Sequence, residues 1–398
     1  MQSVLALGLG WICKPADFGE FVTVVAYATT GATLAAGGAL QGALRVAHLI
    51  VAESRWQHAM VRHLLASALR RALAGSVLTG ALLGVNASVT WTGASAGAVL
   101  AMAMTLASAS AGITVARGHA PRQQLSELCI RLPVQILGAV ALMAVGWLSG
   151  TMLSLTTALA SLCSGAFLVS ALPTSRHDGR AIPARMARPL SRFITSASAN
   201  ATLFSLMASC DILLGSRVLP ATTIAPLGIA GRISSSVGML HGSIFDLHSS
   251  RIAIAIRDQD RREIVRRIRT VALESTALTL LVGAALAVAI FAAWGALPPI
   301  YKAAVPALAI LMSARLVAGL AGPAPALLTL NGLHATLAGI TIGAIVIEAC
   351  LIYGVAATTG TSGLAAASAA GLVFYTTCSA WLARRSYRHA PSCGTRPS

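Results

Sequence analysis

Residues 251–297 read RIAIAIRDQDRREIVRRIRTVALESTALTLLVGAALAVAIFAAWGAL. Seven arginines crowd into 251–269, and no Lys or Arg follows until Lys302. From Thr270 to Leu297 the only ionisable side chain is Glu274. A hydrocarbon core of about 30 Å is crossed by about 20 apolar residues, so 270–297 predicts a transmembrane span. Short basic loops stay on the cytoplasmic side, so 251–269 predicts an inner segment.

The same sorting runs through the whole chain. Of 29 Lys and Arg residues, 24 fall in alternate connections, at 45–71, 117–131, 176–192 and 251–269 and in the tail from Arg384. The intervening connections hold only Lys14, Arg217 and Lys302. Such alternation implies a chain threaded many times through a bacterial inner membrane with both termini cytoplasmic. Composition agrees. The chain is 56% hydrophobic and 10% charged, against roughly 45–50% and 25% for soluble domains. The net charge of +17 sits on short loops beside apolar spans, where orientation and anionic headgroups account for it. No nucleic-acid partner is expected.

Apolar stretches predict eleven full spans, near 19–44, 72–94, 95–116, 132–150, 152–172, 193–216, 221–247, 270–297, 302–322, 332–354 and 362–383. Residues 1–13 are apolar but too short to cross. They lack the basic start and small-residue cleavage site of a signal peptide, and are expected to be the outer half of a twelfth helix, truncated at its N-terminus. Turns are expected after Trp91, at Gly150–Thr151, at Arg217–Pro220, at Pro298–Tyr301 and at Thr358–Ser362. Ile252 to Val271 reads either as an amphipathic helix on the inner surface or as a cytoplasmic extension of a neighbouring span. Long inner segments at 45–71 and 248–269 each follow the second helix of a half, a weak internal repeat of the parallel kind. The expected organisation is an all-α polytopic membrane protein of twelve helices in two lobes. Residues 1–172 form a six-helix lobe, 173–192 a basic cytoplasmic linker, 193–383 a second lobe, and 384–398 a basic tail.

Short motifs carry a resemblance. Lys14-Pro15-Ala16-Asp17-Phe18-Gly19-Glu20-Phe21 lies between the first two helices. Asp211-Ile212-Leu213-Leu214-Gly215, followed by Gly228-Ile229-Ala230-Gly231-Arg232-Ile233, passes through the seventh and eighth. Leu330-Asn331-Gly332-Leu333-His334-Ala335-Thr336 and Gly363-Leu364-Ala365-Ala366-Ala367 open the last two. In these motifs the chain resembles the multidrug/oligosaccharidyl-lipid/polysaccharide exporter superfamily, in its bacterial polysaccharide (O-antigen type) flippase branch. The resemblance runs through nearly the whole chain. It implies two six-helix lobes around a central cavity and alternating-access flipping of a lipid-diphosphate-linked oligosaccharide from the inner to the outer leaflet. Membrane lipids, a coupling ion (H+ or Na+) and a monomeric transport unit are the implied partners.

Ionisable residues inside spans are few: Asp211, Arg232, Asp246, Glu274, Arg315 and Glu348. Charges at such depth face a cavity or a partner. At about 1.5 Å per residue, Arg232 lies about 16 Å and Arg315 about 20 Å in from the outer side, with Asp211 and Glu348 in the outer third. Arg232 and Arg315 are therefore candidate cavity cations for a diphosphate, whose oxygens match the guanidinium fork. The alternative is a pair of structural ion pairs, Arg232 with Asp211 and Arg315 with Glu348. His241 and His248 are candidate proton carriers or plain interfacial histidines. Asp258-Gln259-Asp260 spells a metal-binding DxD but sits on a basic inner segment without a nucleotide-binding domain. Cys residues show no metal or disulfide spacing. No cofactor and no metal are expected. The rival functions are a multidrug/cation antiporter, which wants acidic residues in the first lobe, and an inactive truncated remnant. A membrane enzyme would need a large outer loop, and every outer connection here is short.

Overall fold

The computed structural model describes residues 8–36, 54–86, 89–116, 120–170, 184–258, 260–331 and 333–388. The start of residues 1–13, the first third of the inner segment 45–71, most of the linker 173–192 and the end of the tail lie outside the described residues. Among those described, the chain is helical without a strand. In order the helices are α1 (Pro15–Ala36), α2 (Ser54–Gly84), α3 (Trp91–Ala116), α4 (Ala120–Ser126) and α5 (Leu132–Val145). Then come α6 (Gly150–Ser170), α7 (Ala184–Val218), α8 (Ala221–Arg257), α9 (Arg261–Ala292) and α10 (Pro299–Ala321). The last are α11 (Ala324–Leu330), α12 (His334–Leu351) and α13 (Ala357–Arg388). Wide π turns join α4 to α5 at Glu127–Arg131 and α12 to α13 at Ile352–Ala356. Eight helical segments among the described residues are long and apolar enough to cross a membrane. The chain is a polytopic all-α protein.

Two compact units divide it, Met1–Ile229 and Ala230–Ser398. In the first, α3 packs on α1, α2 and α6, and α1 also meets α7. Phe18, Val24, Leu83, Leu100, Ile113, Leu153 and Leu168 are almost wholly buried there. Helices approach closely where one of them lacks a Cβ: a methyl on Gly75 would come within 2.7 Å of the Ala35 side chain. One on Gly19 would overlap the carbonyl of Ala221. With apolar lipid outside, such close backbone packing supplies much of the cohesion between helices. Many buried hydroxyls bond within their own helices, as Thr105 does to Ala101 and Ser161 to Thr157, which satisfies those donors in an apolar interior.

In the second unit, α13 packs on α10, α11 and α12, and α9 on α10. Ile252, Val271 and Leu327 form a small core with Ile244, Phe245 and Ile268. Gly360, at φ 61° and ψ −135°, breaks α13 near its start.

Boundaries differ from expectation at several places: α7 starts at Ala184, inside the expected linker, and α13 at Ala357, ahead of the expected turn. Trp91 begins α3 instead of preceding a turn, and α2 already ends at Gly84. Ile252 to Val271 is not one surface helix: α8 runs on to Arg257 and α9 starts at Arg261. The Asp260 carboxylate accepts the Glu263 N–H at 3.1 Å and caps α9, the ordinary use of an Asp at this position. The second aspartate of the DxD is thus a helix cap.

Candidate functional site

Ser234, Gly238 and His241 recur at spacings of four and three along α8, which places them on one helix face. Ser234 is 3% exposed. Arg315, from α10, lies along this face. Its Nε donates to Ser234 Oγ at 3.1 Å, and a Cβ on Gly238 would stand 2.8 Å from its Nη1. Glycine at 238 is what leaves room for the guanidinium. Counting from Pro299, Arg315 lies about 24 Å along α10, inward of the middle of the helix. A third helix completes the cluster: Thr279 Oγ1 on α9 is 2.7 Å from His241 Nε2, and Thr279 also donates to the Ser275 carbonyl at 2.8 Å. Further inward, His248 Nε2 meets Glu274 Oε2 at 3.1 Å.

Arg232 does not share that face. Two positions before Ser234, it projects about 160° away from it around the helix, at the usual 100° per residue. It is half-buried, and its carbonyl accepts the hydroxyls of Ser235 and Ser236 at 3.0 and 2.9 Å. The two arginines singled out from sequence therefore occupy different sides of α8.

The acidic candidates lie elsewhere. Asp211 on α7 belongs to the first unit. It is 5% exposed and accepts the N–H of Ile212 at 2.8 Å. Glu348 on α12 is 1% exposed and lies against α13, where a Cβ on Gly371 would stand 3.1 Å from its Oε2.

Sequence reasoning missed a second polar centre, inside the first unit. The Tyr27 hydroxyl donates to the Leu213 carbonyl at 3.0 Å and accepts from Asn86 Nδ2 at 3.3 Å. Asn86 Nδ2 also donates to Ser216 Oγ at 2.9 Å, and Arg217 Nε reaches the Tyr27 hydroxyl at 3.4 Å. Nearby, Glu20 Oε1 accepts both the N–H and the hydroxyl of Thr90, at 3.1 and 2.7 Å, which sets a carboxylate at the start of α3. Only the polarity of these residues inside apolar runs hinted at them. Among the described residues, no three His, Cys, Asp or Glu side chains are placed to hold a metal ion.

No family model matches the chain, and no curated protein does. Solved structures do. An inward-facing multidrug resistance MATE family transporter of the MOP superfamily aligns over 99% of this chain and 100% of its own, with TM-score 0.75 and 13% identity. The lipid II flippase MurJ, in an inward closed conformation, aligns over 96% and 87%, with TM-score 0.67 and 12% identity. A MOP superfamily transporter from Pyrococcus furiosus, described as having a binding pocket of reversed polarity, aligns over 97% and 90%, with TM-score 0.58 and 15% identity. Fold is what such identities establish. A polytopic all-α chain, aligned almost from end to end with transporters of both the MATE and the MurJ kind, has the fold of the MOP superfamily.

Proposed function

We propose that this chain is a transporter that flips a lipid-diphosphate-linked oligosaccharide from the inner to the outer leaflet for surface polysaccharide synthesis. On this reading it works by alternating access, as a monomer, in the bacterial inner membrane with both termini cytoplasmic. Residues 1–172 and 193–383 are its lobes, joined by a cytoplasmic linker at 173–192. One observation carries the reading. Arg315, inside a span, lies along a polar strip of α8 made by Ser234 and Gly238. A guanidinium at such depth is costly, and its planar fork suits a diphosphate better than a sugar hydroxyl. Arg232, Asp211 and Glu348 are the other cavity candidates. The solved structure of a lipid II flippase with this fold supports the same substrate class.

A cation antiporter is the second reading, favoured by the buried carboxylates Asp211 and Glu348 and by the MATE alignment. The test is Arg315→Ala and Arg315→Lys in cells whose surface polysaccharide depends on this gene. Alanine should abolish export with protein abundance near normal, and lysine should restore part of it, since it keeps the charge and loses the fork. Unchanged export in Arg315→Ala, with loss of organic-cation efflux in Glu348→Gln, would favour the antiporter.

A further inference from the structure

His241 lies less than one turn beyond Gly238 on the face that receives Arg315. Its ring tautomer follows from its neighbours. The single Thr279 proton goes to the Ser275 carbonyl at 2.8 Å, and a hydroxyl that has given its proton can only accept. The tautomer that satisfies both bonds has the 2.7 Å contact running from the ring to Thr279, with the hydrogen on Nε2. Nδ1 is left as the basic lone pair. The charged groups around the ring are few. From α10 comes Arg315, whose charge acts on His241, while α9 offers the Ser275 main chain, which hydrogen-bonds the ring, and the neutral Thr279 hydroxyl. Two turns further along α8, His248 Nε2 is engaged with Glu274 Oε2 at 3.1 Å.

We propose that His241 is a proton site that sets the anion affinity of Arg315. Protonated at Nδ1, with Nε2–H anchored on Thr279, the ring adds a second positive charge beside the guanidinium. Two neighbouring cations repel one another unless an anion lies between them, so proton and diphosphate bind together and leave together. Protonation favours the bound state, so affinity falls as pH rises. One linked proton changes affinity by at most about tenfold per pH unit. The inference rests on Arg315 as the diphosphate-binding group and adds what switches that group between holding and releasing.

The test uses the full chain in lipid nanodiscs, with farnesyl diphosphate as the probe, titrated calorimetrically at pH 6 and pH 8 in buffers of different ionisation heat. At pH 6 wild type should take up close to one more proton on binding than His241→Gln, and between the two pH values it should lose about ten- to a hundredfold more affinity. His241→Lys should bind at pH 8 about as wild type does at pH 6. If His241→Gln and wild type share one pH slope and one proton count, the proton site is overturned while the diphosphate site stands. Wild type that binds no probe at either pH, or Arg315→Gln that binds as wild type does, removes the diphosphate site itself. If His241→Gln fails to fold, His241→Asn, which also removes the titrating ring, gives the same comparison. An unchanged slope there also overturns the proposal.

Discussion

The Tyr27 hydroxyl donates to the main-chain carbonyl of Leu213 across 3.0 Å, although 186 positions separate them in sequence. This bond joins α1 to α7 inside the first unit, and Asn86 and Ser216 extend it to the end of α2. Hydrogen bonds between transmembrane helices contribute about 0.6 kcal/mol each on average and up to about 1.7. Tyr27→Phe removes the donor to Leu213 and the acceptor of Asn86 together. It should destabilise the protein by about 1–2 kcal/mol, read as a lower thermal midpoint in detergent. A midpoint equal to that of wild type would show that the three helices do not depend on this centre.

Gly19 makes the sharper steric test. Its missing Cβ is where the Ala221 carbonyl lies, whereas nothing lies within 4 Å of the corresponding point at Gly242. Gly19→Ala must push backbone away from backbone, a cost of at least about 1–3 kcal/mol. Gly242→Ala meets open space and gains helix propensity. Membrane-inserted, monodisperse protein should fall sharply in the first and stay near wild type in the second; equal yields would refute the packing described for α1.

Orientation is open to chemical labelling. In a background with the seven native cysteines replaced, cysteines at Thr151 and Thr359 should react in intact cells with an impermeant thiol reagent. One at Asp260 should react only after lysis, because 24 of 29 basic residues share its side. Labelling at 260 from outside would invert the arrangement.

Asp260→Ala removes the cap from α9. A lost N-cap costs about 0.5–2 kcal/mol, concentrated in the first turn. Amide exchange at Glu263 and Ile264 should quicken while the middle of α9 keeps its protection. No loss of bound divalent metal is expected, since the carboxylate is engaged with the Glu263 N–H.

What could be read from sequence followed the size of the energetic penalty. Arginine in a short translocated loop and a long run without charge are each costly or distinctive, so the spans 132–150 and 302–322 fall close to α5 and α10. The reversal before Trp91 carries no such penalty. Its residues are small and mildly polar on both sides, and local pattern sets the turn several residues late. Arg315 stood out because a mid-span charge must be compensated. Its neighbours did not, since Ser234, Gly238 and Thr279 are common in any membrane helix and become a site only when α8, α9 and α10 meet. The polar stretch 173–192 marks a change in composition, while the compact units part at Ile229. The contact of α7 with α1 joins residues far apart in the chain, which local pattern does not report.

The uneven burial of the helices has a consequence for sequence drift. Only 11% of the apolar stretch within Arg262–Ala292 is buried by protein, against 56% for that within Trp91–Thr114. On α9, Leu, Ile, Val and Ala meet mainly lipid chains, which accept any of them, so over generations these positions should interchange almost neutrally. On α1 and α2, Gly19 and Gly75 are fixed by what lies opposite, the Ala221 carbonyl for one and Ala35 with the Gly31 carbonyl for the other. Selection should therefore hold Gly19 and Gly75 long after the outward faces of α9 have lost any resemblance to their ancestors.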